Sequence, residues 1–207
     1  MTAGASTMTD LSARDEIAAE QAERYEQKEF GFWLYLMSDA ILFALLFATY
    51  VVMVGNTAGG PTGKTLFSLT RAGGETLALL LSSMTFGFAT VALASAKKRE
   101  VLTWLLVTAA LGLCFIGLEI SEFYGMVQAG AGPDRSGFLS SFFALVGTHG
   151  LHVSIGLLWI SVMIGQILIK GLTAPVASRL VRLGLFWHFL DIIWVVIFSI
   201  VYLPGVL

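Results

Sequence analysis

The sequence predicts an all-α, polytopic membrane protein with five transmembrane helices. Of its 207 residues, 57% are apolar and only 13% charged, a composition far from that of soluble domains. Five apolar stretches each reach the roughly 20 residues that span ~30 Å of hydrocarbon as a helix. Ten-residue segments of alternating polarity do not occur, and this excludes a transmembrane β-barrel.

Residues 1–30 read as an acidic tail holding Asp10, Asp15, Glu16, Glu20, Glu23, Glu26 and Glu29. They lack the basic start, apolar run and cleavage site of a signal peptide, so a solvated cytoplasmic segment is expected. Residues 31–207 form one five-helix domain. Its first helix covers roughly 31–54, its second 75–95 and its third 101–124, followed by 138–169 and 182–203. The fourth is long enough to tilt or to project from the bilayer. Between the first two, Gly59 to Thr65 read GGPTGKT. The phosphate-loop spacing fails, because its first glycine would fall on Ala58 and no strand precedes it, so a turn-rich loop is expected.

Basic residues set the orientation. Arg14, Arg24, Lys28, Lys97, Lys98, Arg99, Lys170, Arg179 and Arg182 fall on one side; only Lys64, Arg71 and Arg135 fall on the other. The positive-inside rule then places the N-terminus in the cytoplasm and the C-terminus outside.

Seven ionisable side chains lie inside or at the edge of the apolar stretches: Asp39, Glu119, Glu122, His149, His152, His188 and Asp191. Such groups cost kilocalories in hydrocarbon and face a bundle interior, a partner or a water path. Glu119 with Glu122, His149 with His152, and His188 with Asp191 each share a helical face at i, i+3. That spacing also serves two-metal bundles. Depth weighs against one metal centre: Asp39, His152, His188 and Asp191 fall within about 6 Å of the midplane, whereas Glu119 and Glu122 lie about 10–15 Å from it toward the outside. The cluster reads as interhelical polar contacts, with no catalytic, cofactor-binding or metal-ligating residue assigned.

Other features have modest readings. Cys114, alone in the third helix, is expected as a buried packing thiol. Trp33, Tyr35, Trp104, Tyr124 and Tyr202 are expected as interfacial anchors. Ser83 with Gly87, and Gly147 with Gly150 and Gly156, mark grooves where another backbone could approach. The slightly acidic net charge and the lack of a basic, aromatic-rich face argue against nucleic acid. A stand-alone ion transporter built on the intramembrane charges is opposed by an odd span count without an inverted repeat.

The runs GFWLYLMSD (31–39), GNTAGGPTGK (55–64), GPDRSGF (132–138), FFALVGTHGLHV (142–153) and FWHFLDIIW (186–194) closely resemble subunit III of haem-copper respiratory oxidases. The likeness is nearest to the five-helix form of the bo-type ubiquinol oxidases and covers the chain from about Phe30 onward. It implies a non-catalytic accessory subunit of a proton-pumping quinol oxidase in a bacterial inner membrane. It also implies subunit I as the main partner, with subunits II and IV in the same complex. Phospholipid would lie in a cleft between the first helix and the other four, and haems and copper would reside in subunit I. Asp39 matches a buried carboxylate position that is glutamate in seven-helix relatives, and the resemblance supports a hydrogen-bonded link from it to the HGLH helix. A share in proton uptake for Asp39, His188 and Asp191 is a further expectation. The alternative within the family is subunit III of a cytochrome c oxidase.

Overall fold

The structure is a computed structural model; it describes the backbone of residues 3–206 and the side chains of 26, 27 and 29–206. The acidic tail is therefore only partly accessible: the side chains of Asp10, Asp15, Glu16, Glu20 and Glu23 lie outside the described residues, while Glu26 and Glu29 are exposed. Contacts divide the chain into two units, Met1–Ile41 and Leu42–Leu207. In the first, helix α1 (Ala3–Met53) begins. There the Tyr35 hydroxyl donates to the Asp39 carboxylate one turn on, and Ser38 Oγ donates to the Tyr35 carbonyl at 2.7 Å.

The second unit contains the end of α1, a single turn α2 (Gly63–Leu66), then α3 (Leu69–Ala94), α4 (Lys98–Gln128), α5 (Gly137–Lys170) and α6 (Ala174–Ile197). A π-helical turn (Phe198–Tyr202) and a short α7 (Leu203–Val206) follow. Among the described residues, five helices are long and apolar enough to cross a bilayer: Glu29–Met53, Leu69–Ala94, Lys98–Gln128, Gly137–Lys170 and Ala174–Val206. The protein is thus an all-α, multi-pass membrane protein.

Helix ends follow local chemistry rather than hydropathy, so two helices start about two turns before their apolar cores. α3 takes in Arg71, Gly73 and Gly74 ahead of the expected start at 75. α6 begins behind Thr173 with Pro175 in its first turn, where a missing N–H leaves no bond unmade and the fixed φ suits a helix. At α5 the Ser136 hydroxyl accepts from the Leu139 N–H at 3.2 Å, satisfying one of the orphan donors of the first turn. The same helix stops at Gly171, whose φ of 71° is open to a residue without a Cβ. The GGPTGKT segment is a turn, with Gly60 N–H donating to Thr57 O at 2.8 Å, leading into α2.

Helices α3, α4, α5 and α6 close a ring, α3 packing on α4 and α6, and α5 on the same two. Its axis is filled from α6. Trp187 presses its ring where Gly112 of α4 and Gly156 of α5 carry no side chain; a Cβ on either would come within 2.9 Å of it. Its indole N–H donates to Ser82 Oγ of α3 at 3.1 Å. Two turns on, Trp194 lies edge-on to Phe115 of α4 at 4.6 Å and tilted on His149 of α5 at 5.2 Å. Its N–H donates to Thr76 Oγ1 of α3 at 3.0 Å. Tyr202 completes the column, against Phe67 at 5.0 Å and Phe142 at 6.0 Å.

Trp187 to Trp194 is seven residues, two α-turns; Trp194 to Tyr202 is eight. At about 100° per residue an eight-residue step overshoots the face by about 80°. The five residues of the π turn each advance only roughly 80°, so the wider turn rotates Tyr202 back onto the inner face. Each column residue thereby buries a large ring and still satisfies its polar tip, as buried Trp and Tyr require. With no water-driven attraction between helices in lipid, this packing and these bonds hold the ring together.

Three expectations change. Tyr202 is fully buried, not an interfacial anchor, and Cys114 is exposed on the outer face of α4 rather than buried. The glycines expected to admit a neighbouring backbone instead receive side chains: Gly150 takes the Glu119 carboxyl and Gly156 the Trp187 ring, while Gly87 faces open space.

Candidate functional site

The buried carboxyl groups of the second unit, among the described residues, separate into two places. The first is a carboxylate pocket at the π-turn end of the ring. Glu75 from α3 and Glu119 and Glu122 from α4 are all buried and near enough to interact electrostatically, with Arg71 as the counter-charge to Glu75 and Glu122. The Tyr202 hydroxyl donates to Glu122 Oε2 at 3.0 Å. Both oxygens of Glu75, Oε2 of Glu119 and Oε1 of Glu122 have no hydrogen-bond partner among the described residues. A crevice of about 220 Å³ lined by Thr65, Arg71, Glu122 and Gly125 reaches Glu122 from the end of the bundle. Gly150 matters here: a Cβ would stand 2.6 Å from Glu119 Oε1, so the glycine of HGLH admits the carboxyl between α4 and α5.

Glu75 and Tyr202 are the members of this pocket that the sequence reading missed. Glu75 stood at the drawn edge of its span and passed for a boundary residue. Only the π turn brings Tyr202 inward. The signal available was the coincidence of three carboxylates and a tyrosine at one end of their helices.

The second place lies at mid-helix between α3 and α6. The Ser83 hydroxyl and His188 Nδ1 are in hydrogen-bond contact at 2.8 Å, and His188 Nδ1 stands 3.8 Å from Asp191 Oδ2. These three groups floor a crevice of about 330 Å³ walled by Leu80, Ile192, Val195 and Val196.

The histidines do not converge. His152 Nδ1–H donates to the Thr148 carbonyl one turn back at 2.8 Å, and its ring meets Phe43 of α1 at 5.2 Å. His149 is wholly buried among Phe43, Phe115 and Trp194, with neither ring nitrogen hydrogen-bonded among the described residues. His188 is on another helix, facing Ser83. Asp39 belongs to the first unit, with Tyr35. Among the described residues no group of three or more His, Cys, Asp or Glu side chains is arranged to hold a metal ion, and these histidines offer no set of axial ligands for haem.

Residues 10–206 match the family described as cytochrome c oxidase subunit III. The chain belongs to that family. Within it, the chain is 56% identical over 177 residues to cytochrome bo(3) ubiquinol oxidase subunit 3 of Pseudomonas putida, covering 86% of each sequence. It is 46% identical over 181 residues to the protein of that name from Buchnera aphidicola subsp. Baizongia pistaciae, covering 87% of this chain and 93% of the relative. It is 40% identical over 185 residues to quinol oxidase subunit 3 of Bacillus subtilis, covering 89% and 91%. A place in a multi-subunit respiratory oxidase follows from membership of the subunit III family. The HGLH and WHFLD runs then have a physical reading in this member: Gly150 seats Glu119, and Trp187 and Trp194 flank the His188–Asp191 pair as the axis of the helix ring.

Proposed function

We propose that this chain is the accessory subunit III of a quinol-oxidising, proton-pumping haem-copper oxidase in a bacterial inner membrane. The observation that carries the reading is the 56% identity, over 86% of both sequences, to a relative named as subunit 3 of a ubiquinol oxidase, joined by a named quinol oxidase subunit at 40%. Electron transfer and oxygen reduction then belong to the haems and copper of subunit I. The present chain supplies a rigid helical flank in contact with subunit I and, beyond it, subunits II and IV. The central Trp187–Trp194–Tyr202 column supports the rigidity, since its hydrogen bonds reach α3 and α4 and its rings pack on Gly156 and His149 of α5. Exposed apolar side chains such as Leu106, Leu113, Leu158 and Ile169 support contact with phospholipid acyl chains, which this subunit would retain beside its partner.

The test is isolation of the tagged chain from its native membrane in mild detergent. A reduced-minus-oxidised haem spectrum together with quinol-dependent oxygen uptake in the same particle is the expected result. A colourless protein isolated alone would overturn the reading. The family description names cytochrome c oxidase and favours a second reading, in which the same particle oxidises reduced cytochrome c and not quinol.

A further inference from the structure

The crevice at Ser83, His188 and Asp191 is built differently from the rest of the bundle's outer surface. By position in their helices, Ser83 is about 2 Å from the middle of Leu69–Ala94, and His188 and Asp191 about 3 Å or less from the middle of Ala174–Val206 at ~1.5 Å per residue. All three therefore sit near the bilayer midplane. His188 is 43% exposed there. Asp191 is 94% buried at the crevice floor, and neither of its oxygens has a donor in full hydrogen-bond geometry among the described residues; Ser83 and His188 reach it only as longer, weaker polar contacts. The His188 nitrogen nearest it is 3.8 Å away, beyond hydrogen-bonding distance, and is in contact with Ser83. An acceptor in this state, in hydrocarbon, is costly until a donor reaches it.

We infer that this crevice is the anchoring point for a transmembrane helix of another oxidase subunit, which inserts a hydrogen-bond donor side chain between α3 and α6 onto Asp191. The inference rests on the reading of the chain as an oxidase subunit. Depth selects the occupant. Phospholipid headgroups stay about 15 Å from the midplane, and their acyl chains carry no donor, so lipid would leave the carboxylate unsatisfied. A neighbouring helix supplies side-chain donors at any depth, and polar side chains bond across helices at such interfaces. The walls suit it: Leu80, Ile192 and Val195 stand 49%, 63% and 42% exposed around the polar floor, an apolar rim that packs on a helix while the centre bonds it.

The test is a photo-reactive benzophenone side chain at position 192, irradiated in membranes that contain the whole complex, with adducts identified by peptide mass. The expected product joins this chain to a membrane-spanning peptide of one other oxidase subunit. Asp191→Leu lowers its yield at least fivefold, and Asp191→Asn, which keeps an acceptor oxygen, retains at least half. Thermal unfolding of the purified variants checks that the fold persists, and His188→Phe, which keeps ring volume at the crevice floor, provides a second variant with the same expected loss of yield if Asp191→Leu fails to accumulate. Adducts on lipid or quinone only, or on a second copy of this chain, would overturn the inference while haem still co-purifies. Loss of haem from the wild-type preparation would instead overturn the reading beneath it.

Discussion

Two faces of α6 and the π turn that continues it put polar groups to opposite uses. Along the inner face, Trp187, Trp194 and Tyr202 each end in a donor, and each donor is matched within the chain by Ser82, Thr76 or Glu122. Along the adjoining flank, His188 and Asp191 share a crevice in which the carboxylate has no matched donor among the described residues. Both faces lie in the same apolar span, with Trp187 and His188 one residue apart. A face whose hydrogen bonds close internally contributes to the fold of the monomer. A face left open at the midplane is matched to something outside it.

Substitutions should therefore separate the two faces, first by size of effect. Trp187→Ala empties the axis of the ring and should lower stability by on the order of 3–5 kcal/mol, the range for deleting a fully packed aromatic. Unfolding in detergent by denaturant or heat is the readout, and a loss below about 1 kcal/mol would mean that the column is not what ties the helices. Gly150→Val drives a side chain into the Glu119 carboxyl and should cost about 1–3 kcal/mol, as overpacking does. Because the clash is with one partner, Glu119→Ala in the same chain should recover part of that loss. Strict additivity of the pair in a double-mutant cycle would show that Gly150 and Glu119 do not meet.

Smaller effects sharpen the contrast. Tyr202→Phe removes the donor to Glu122 while keeping the ring, and should cost about 1–3 kcal/mol by leaving a buried acceptor unmatched. Ser83→Ala on the flank should change the stability of the isolated chain by under about 1 kcal/mol, near the average for side-chain hydrogen bonds between membrane helices. A Ser83→Ala loss equal to that of Tyr202→Phe would erase the distinction between the faces. Smallest is Cys114→Ser, expected within about 0.5 kcal/mol of the parent, as for surface positions. In the folded protein Cys114 should react with a lipid-soluble maleimide; protection until unfolding would place the thiol inside a contact.

The carboxylate pocket and the flank were not equally legible. Glu119, Glu122, His188 and Asp191 stand out in any reading of the sequence because charge inside an apolar run is rare and expensive. Glu75 escaped because it lay where the apolar run of α3 was drawn to begin, and helix ends are set by caps and turns that hydropathy does not see. Trp187 and Trp194 stood in plain view within FWHFLDIIW, yet aromatic residues are common in membrane helices. Only the matching gaps at Gly112 and Gly156 identify Trp187 as the axis. Small residues were read as places for a backbone to approach, whereas Gly150 and Gly156 here face a specific carboxyl and ring.

By itself the sequence determined the membrane class, the number of crossings, the resemblance to subunit III and the residues whose burial would be costly. These follow from transfer free energy and from motif spacing, which are properties of the chain read in order. The tertiary structure decided which polar group meets which. The π turn rotates Tyr202 onto Glu122, Gly150 admits Glu119, and Asp191 is left at an open crevice. Those outcomes depend on the relative rotation of packed helices, where a shift of one residue turns a side chain by about 100°, and no local feature of the sequence fixes that angle.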